Sequence, residues 1–258
     1  MPRGTAGFGS VGLRPAHLVK TCPCLGTSLH PTLHSVDRIP FRPFNPRAPV
    51  VCYRRNLPHW RQEGCTYFVT FRLIDSIPRP LLLAWEQERK SWLAAHGIGP
   101  GLPAAEFHES YSAIDVRVRR AFERRQAHRL HLELDRNHGR CLLERPVVRE
   151  GLRSALHHFH GTRCWCGDWV IMPNHVHWLL VPMPGWRLED VLRSIKGFVS
   201  VQAARQEDKM GRLWQSESYD RLVRDRTELE AFRRYIANNP AKAGLASGRV
   251  AVFQADWI

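Results

Sequence analysis

Apolar and polar positions fall into strand-like and helix-like patterns from residue 64 onward. CTYFVTFRL (65–73) is rich in aromatic and β-branched residues, which is typical of a strand. Two further strand-like runs are joined by a turn at 172–174, and LVRD (222–225) predicts a short strand. These two runs are 163–171 and 175–182. Helices are predicted within 79–135, from Pro146 to about residue 160, at about 187–207, and from about Thr227 to Asn238. Thr227 is the expected N-cap of the last helix.

This order of elements predicts an α+β fold. An antiparallel sheet with helices packed on one face, in a ferredoxin-like arrangement, fits the order best. The basic helical segment at about 79–140 then forms an insert. The sequence thus predicts one sheet domain with a helical addition.

The first 50 residues have a different texture. They hold 8 of the 18 prolines and a single acidic residue, Asp37, with no sustained period. Such composition is typical of a flexible basic leader. We therefore expect a leader over 1–50, and a short C-terminal tail over 247–258.

The net charge of +14 changes the expected partners. Surplus positive charge attracts polyanions, of which nucleic acid is the first candidate and an anionic membrane surface the second. No apolar run approaches the ~18 residues that a membrane helix needs, and the chain start lacks a signal-peptide pattern. The 7 cysteines are an odd number in a long chain, which favours a reducing cytoplasm.

Candidate chemistry centres on MPNHVHWLLVP (172–182). On a strand, His175 and His177 point to the same face, with Cβ atoms about 6–7 Å apart. They are either hydrogen-bonded core histidines or two ligands of one metal ion. Tyr235 and Asn239 lie one helical turn apart, and a carboxamide oxygen suits Mg²⁺ or Mn²⁺. Pro240 predicts that Asn239 lies at a helix end.

A tyrosine beside a divalent ion suggests attack of its phenol oxygen on a phosphate. Nearby positive charge would assist loss of the phenol proton, and Arg233, Arg234 and Lys242 are the candidates. The alternative for Tyr235 is an ordinary packed aromatic of the last helix.

Several segments, taken in series, resemble one family. The chain is similar to the single-tyrosine HUH transposases and, within them, to the REP-associated (IS200-like) tyrosine transposases of bacteria. The similar segments are RNLPHW (55–60), YFVTFRL (67–73), MPNHVHWLL (172–180), RLWQSESYDRLVRD (212–225) and YIANNPAKAGL (235–245), so that the resemblance spans about 51–246.

The resemblance implies roles for individual residues. It makes Tyr235 the nucleophile, and His175, His177 and Asn239 the ligands of Mg²⁺ or Mn²⁺. It implies a ferredoxin-like domain in a bacterial cytoplasm that cuts single-stranded hairpin DNA. The products would be a 5′-phosphotyrosine and a free 3′-hydroxyl.

Other readings of the sequence stay open at this point. Tyr219 is a rival nucleophile, and Trp214 and Gln215, with Arg233, Arg234 and Lys242, are candidate DNA contacts or ordinary structural residues. The basic insert either extends the DNA contact or is a solvated helix face; its clustered arginines are Arg117, Arg119, Arg120, Arg124 and Arg125. A non-catalytic, domesticated DNA-binding protein and a zinc hydrolase are the alternative functions, and both a monomer and a homodimer are possible.

Overall fold

The computed structural model describes residues 38–54, 58–206 and 211–258. The strands are β1 (Val51–Arg54), β2 (Pro58–Arg61), β3 (Tyr67–Arg72), β4 (Cys164–Ile171), β5 (His175–Pro182), β6 (Tyr219–Leu222) and β7 (Ala251–Phe253). The helices are α1 (Arg79–Ala95), α2 (Ala104–Ala113), α3 (Val116–Asp135), α4 (Pro146–His158), α5 (Leu188–Ala204) and α6 (Arg226–Lys242).

The main sheet has five strands in the order β6-β3-β5-β4-β7, and all neighbouring strands are antiparallel. The run β3-α4-β4-β5-α5-β6 has the strand–helix–strand–strand–helix–strand order of ferredoxin-like folds. The predicted α+β class and the ferredoxin-like sheet are therefore confirmed. Strands β1 and β2 pair separately as a two-stranded ribbon.

The central strand β5 is buried along its whole length. Its residues alternate between two hydrophobic clusters: Val176, Trp178 and Leu180 belong to one, and Leu179 and Val181 to the other. Because successive side chains of a strand point to opposite faces, the sheet has a core on each side. His175 and His177 share the face of Leu179.

Helices α4 and α5 cover the first face, as the sequence predicts. Their apolar residues recur at helical spacing, with Val148, Leu152 and Leu156 on α4 and Val191, Ile195 and Val199 on α5. These side chains pack against the odd-numbered residues of β3 and the even-numbered residues of β5. This face is a conventional helix-on-sheet core.

The expectation that all helices share one face needs a correction for α6. Its buried residues Leu229 and Ile236 belong to the cluster of the opposite face, with Phe68 and Leu179. Both faces of a five-stranded sheet are apolar here, so both must be covered. Helix α6 therefore lies over the face that carries the histidines.

The ends of α6 also differ from expectation. Asp225, not Thr227, is the N-cap, because its carboxylate accepts a hydrogen bond from the Glu228 amide at 2.8 Å. The helix runs through Pro240 to Lys242, so Asn239 is helical rather than terminal. Pro240 has no N–H and therefore makes no hydrogen bond to the carbonyl four residues before it, yet the helix continues for two more residues.

The predicted insert consists of α1, α2 and α3. It has its own apolar cluster, with Leu93, Ile98, Phe107 and Tyr111 as buried residues. Ion pairs from Arg125 and Arg129 to Glu88 join α3 to α1. The insert is thus a packed helical unit in the described part of the chain.

Most of the predicted leader, residues 1–37, lies outside the described residues, and the domain boundaries stay predictions. Near its end, Ile39 is buried and its amide donates to the Asp256 carbonyl at 2.7 Å. The Ile258 amide donates in turn to the Ile39 carbonyl at 3.0 Å. In the described part of the chain no helix combines the length and apolar character needed to cross a membrane.

Candidate active site

The two histidines at the start of β5 are in direct contact. Their Nε2 atoms are 3.1 Å apart, and both side chains are completely buried. The ring of His177 also stacks on Phe68, with centroids 5.5 Å apart. The spacing of residues along the strand therefore brings the two imidazoles to one point inside the protein.

Hydrogen bonds on the far side of each ring fix its orientation. The Nδ1 of His175 is 2.7 Å from the Asn174 side-chain oxygen, and Asn174 Nδ2 donates to the His138 carbonyl at 3.0 Å. That second bond fixes the amide, so Nδ1 of His175 carries the proton and Nε2 carries a lone pair. The Nδ1 of His177 is 2.7 Å from the hydroxyl of Thr70, its cross-strand partner on β3.

Burial keeps both rings neutral. It lowers the pKa of His175 to about 3, with smaller contributions from the charges of His131 and Arg72. It lowers the pKa of His177 well below the usual value, assisted by His175, His131 and Lys242. The neutral imidazole is the form that ligates metal ions.

Tyr235 on α6 reaches the histidine pair. Its hydroxyl is 3.2 Å from Nε2 of His177, and the two rings are edge to face with centroids 5.0 Å apart. Burial raises the pKa of the Tyr235 phenol, the charge of Asp135 raises it further, and the neighbouring Asn239 amide lowers it. The phenol is therefore protonated at neutral pH in this environment.

Asn239 is buried one turn further along α6. Neither atom of its amide has a hydrogen-bond partner among the residues that the structure describes. A buried polar group without a partner costs roughly 1–3 kcal/mol. A buried amide in this state, one helical turn from the tyrosine that contacts His177, has the donor chemistry of a ligand for a hard divalent ion.

Residues 140–239 match the family model described as "Transposase IS200 like". This segment of the chain is therefore similar to IS200-like transposases. The matched segment contains His175, His177, Tyr235 and Asn239, whereas the helical insert precedes it. No curated protein sequence matches the chain significantly.

Two of the solved structures that are similar to the chain are described as transposases. One is a REP-associated tyrosine transposase bound to a REP hairpin: identity is 15%, coverage is 75% of this chain and 74% of that one, and the TM-score is 0.38. The other is a proposed transposase from Deinococcus radiodurans: identity is 13%, coverage is 72% of this chain and 96% of that one, and the TM-score is 0.31. Both TM-scores are below 0.5.

One residue of the site was not foreseen from the sequence. His131, on α3 of the insert, stacks on Tyr235 with ring centroids 5.4 Å apart and meets the His177 ring edge to face at 5.3 Å. Its Nε2 is buried with no hydrogen-bond partner in the described residues. The local pattern HRLHLELD (128–135) gives no sign of this role, because α3 reaches the site only through tertiary packing.

The charged candidates on α6 have different surroundings. The Lys242 ammonium pairs with Asp135 at 2.8 Å and lies 5.8 Å from the Tyr235 ring centroid. Arg233 instead pairs with Asp168 at 3.1 Å and with Glu230, and donates to the Ala255 carbonyl. Arg234 is exposed. Of the three cations, Lys242 is the one that the structure brings to the tyrosine.

Of the two alternatives for Trp214, the structure favours a core residue over a DNA contact. The indole is only 4% exposed, packs against Phe71, and donates to the Lys196 carbonyl at 3.0 Å. A ring held in the core in this way has no face on which a base could stack. Gln215, the next residue, is half-buried and lines a cavity of about 420 Å³ beside α5.

Tyr219, the rival candidate for the nucleophile, lies on β6 opposite Thr70. Its ring is 5.9 Å from the His131 ring, and burial raises the pKa of its phenol. Its hydroxyl has no hydrogen bond to His175 or His177, in contrast to that of Tyr235. The geometry therefore favours Tyr235 over Tyr219.

Proposed function

We propose that this protein is an IS200-like transposase, a metal-dependent strand transferase that cleaves and rejoins single-stranded hairpin DNA of the REP type. Tyr235 is the nucleophile and forms a 5′-phosphotyrosine. The observation that carries the proposal is the 3.2 Å contact between the Tyr235 hydroxyl and Nε2 of the buried His177. Action in the bacterial cytoplasm, as a monomer or a homodimer, belongs to the same proposal.

In the first step the phenol oxygen of Tyr235 bonds to phosphorus and the bond from phosphorus to the 3′ oxygen breaks. The phenol proton is lost to solvent, and the departing 3′ oxygen takes up a proton as a free hydroxyl. In the second step a 3′-hydroxyl attacks the phosphotyrosine, which restores the phenol and rejoins the DNA. Lys242, 5.8 Å from the Tyr235 ring centroid, partly offsets the charge of Asp135, with which it pairs and which opposes ionisation of the phenol.

The residues that would hold the metal are His175, His177 and Asn239. No group of three His, Cys, Asp or Glu side chains in the described part of the chain is arranged for a metal, so the third protein ligand is the Asn239 amide. Two imidazoles with one amide oxygen suit Mg²⁺ or Mn²⁺ at moderate affinity. When bound, such an ion polarises a phosphate oxygen as a Lewis acid.

A denaturing gel assay with labelled hairpin DNA and Mn²⁺ tests the nucleophile. Wild-type protein should form a covalent adduct, Tyr235→Phe should form none, and Tyr219→Phe should form the adduct at the wild-type level. If Tyr219→Phe lost the adduct and Tyr235→Phe kept it, the nucleophile would be Tyr219. Binding of the hairpin by wild type without any adduct would favour the non-catalytic alternative.

Thermal unfolding with added ions tests the ligands. Mn²⁺ at 100 times its dissociation constant should stabilise the fold by about 2.7 kcal/mol, and Asn239→Ala should reduce this stabilisation. Tight stoichiometric Zn²⁺ together with hydrolysis that survives in Tyr235→Phe would favour a zinc hydrolase instead.

A further inference from the structure

The six arginines of α3 fall into two sets. Arg119 donates to the Tyr111 carbonyl and lies over its ring, while Arg125 and Arg129 pair with Glu88. These three hold the insert together. The other three, Arg117, Arg120 and Arg124, are exposed, and their guanidinium groups have no hydrogen bond or ion pair with any residue that the structure describes.

The second set lies on one face of the helix. Spacings of three and four residues align Arg117, Arg120 and Arg124 in a row, and the same spacing continues through His128 to His131. At a rise of about 1.5 Å per residue, the row is roughly 10 Å long and ends roughly 10 Å before His131. Since His131 stacks on Tyr235, the row leads to the phenol.

Further positive charge borders this row. Partial burial lowers the pKa of Arg224, and the charges of Arg221 and Arg120 lower it further, although Arg221 itself pairs with Glu228. Arg224 is exposed in the turn between β6 and α6. Glu123 and Glu228 offset only part of this charge. Guanidinium groups held close together without full neutralisation are suited to phosphate.

We propose that Arg117, Arg120 and Arg124 form a phosphate-binding strip that holds the unpaired DNA strand leading to Tyr235. The choice of a single strand rests on the proposed function, since the phenol would attack unpaired DNA. The insert would then have a function in DNA binding as well as in packing. One face of α3 supplies His131 to the site, and the same face, about two turns before His131, supplies the contacts to the unpaired strand.

The salt dependence of DNA binding tests the strip. Binding of the full chain to a labelled hairpin with unpaired flanks is measured in EDTA, so that no cleavage occurs, over a range of NaCl concentrations. Each phosphate contact to a single strand contributes about 0.7 to the slope of log K against log salt. The variant with Arg117, Arg120 and Arg124 all changed to Ala should therefore lose about 2 from the magnitude of this slope.

A matched control removes the same charge elsewhere. Arg136, Arg153 and Arg249 are exposed and pair with Glu133, Glu150 and Glu144. Their triple change to Ala should leave the slope near the wild-type value. Equal slopes for the two triple variants would overturn the proposal. It would also be overturned if the strip variant lost as much of the slope on a hairpin without unpaired flanks, because the arginines would then contact the duplex.

The adduct assay separates this proposal from the proposed function. With Mn²⁺ and saturating DNA, the strip variant should form the Tyr235 adduct at the wild-type maximal rate, while a higher DNA concentration is needed to reach it. A wild-type protein that binds DNA but forms no adduct would refute the proposed function, and the salt slopes would still decide whether the strip contacts DNA.

Discussion

Neighbouring residues of β5 show how the two faces of the sheet differ. Trp178 faces α4 and α5 in a cluster of apolar side chains, whereas His177 faces α6 and α3 and contacts Thr70, His175 and Tyr235. The first face consists mainly of closely packed apolar side chains and has few polar groups. The second includes two buried imidazoles, a phenol, and an amide without a hydrogen-bond partner among the described residues, which are groups suited to chemistry. We therefore expect substitutions on the first face to alter folding and those on the second to alter activity.

The largest expected effect is on the packing face. Trp178→Ala should lower the free energy of unfolding by about 3–5 kcal/mol, because it removes a large, completely buried ring. Urea denaturation measures the loss. Trp186→Ala is the matched control, since Trp186 is 38% exposed and lies under the Arg163 guanidinium; it should cost less than about 1 kcal/mol. Similar losses at both positions would remove the basis for the contrast between the two faces.

His177→Ala tests the opposite face. This change removes one of two neutral imidazoles and the contact of the Tyr235 hydroxyl. The rate of adduct formation at fixed Mn²⁺ should therefore fall at least about 100-fold, because loss of a ligand costs more than loss of a residue that only supports a ligand. His158→Ala, an exposed position on α4, should leave the rate unchanged. A decrease smaller than tenfold would be inconsistent with a metal ligand at residue 177.

Thr70→Val sharpens the same comparison with a smaller change. The hydroxyl holds Nδ1 of His177 at 2.7 Å, and loss of such a supporting hydrogen bond costs about 10–100-fold in metal affinity. Calorimetric titration with Mn²⁺ measures the effect. Thr70→Ser keeps the hydroxyl and should retain the affinity; wild-type affinity in Thr70→Val would show that the hydroxyl does not position the ring.

The smallest expected effect concerns a histidine on the packing face. Partial burial, with the charges of His160 and Arg153, lowers the pKa of His157 to about 4, and its Nε2 accepts a hydrogen bond from Trp169 Nε1 at 3.1 Å. The unfolded state, with an ordinary pKa near 6.5, then binds more protons than the folded state. Stability from this group is therefore complete above about pH 6.5 and is lost as pH falls toward 4.

We expect this loss to be about 1 kcal/mol between pH 7 and pH 5, after allowance for solvent screening of a half-buried ring. His157→Gln keeps an acceptor for Trp169 but does not titrate, so its unfolding free energy should vary less with pH by that amount. Identical pH profiles for the variant and wild type in urea denaturation would show that His157 is not the group involved.

The strands of the site were predictable because their signal is local. The runs 163–171 and 175–182 and the strand at 65–73 correspond to β4, β5 and β3 within one or two residues. Alternation along β5 was enough to put His175 and His177 on one face. Helical spacing likewise aligned Tyr235 with Asn239, even though Pro240 wrongly suggested that the helix ends there.

Roles that depend on burial could not be read from the sequence. Trp214 and Arg233 were candidates for DNA contact, but the first packs on Phe71 and the second pairs with Asp168. In the sequence, an aromatic residue of the core or a cation of an ion pair cannot be distinguished from the same residue type on a binding surface. Only the neighbours supplied by other elements distinguish the two uses.

The sequence by itself determined the strand and helix periods, the excess of positive charge, and which polar residues share a face within one element. The tertiary structure decided which elements meet: Thr70 comes opposite His177 through the register of β3 and β5, and α3 brings His131 onto Tyr235. Period and propensity act over a few residues, whereas register and helix packing are set by how the whole set of apolar faces is buried together. That is why the histidine pair was visible in the chain and its surroundings were not.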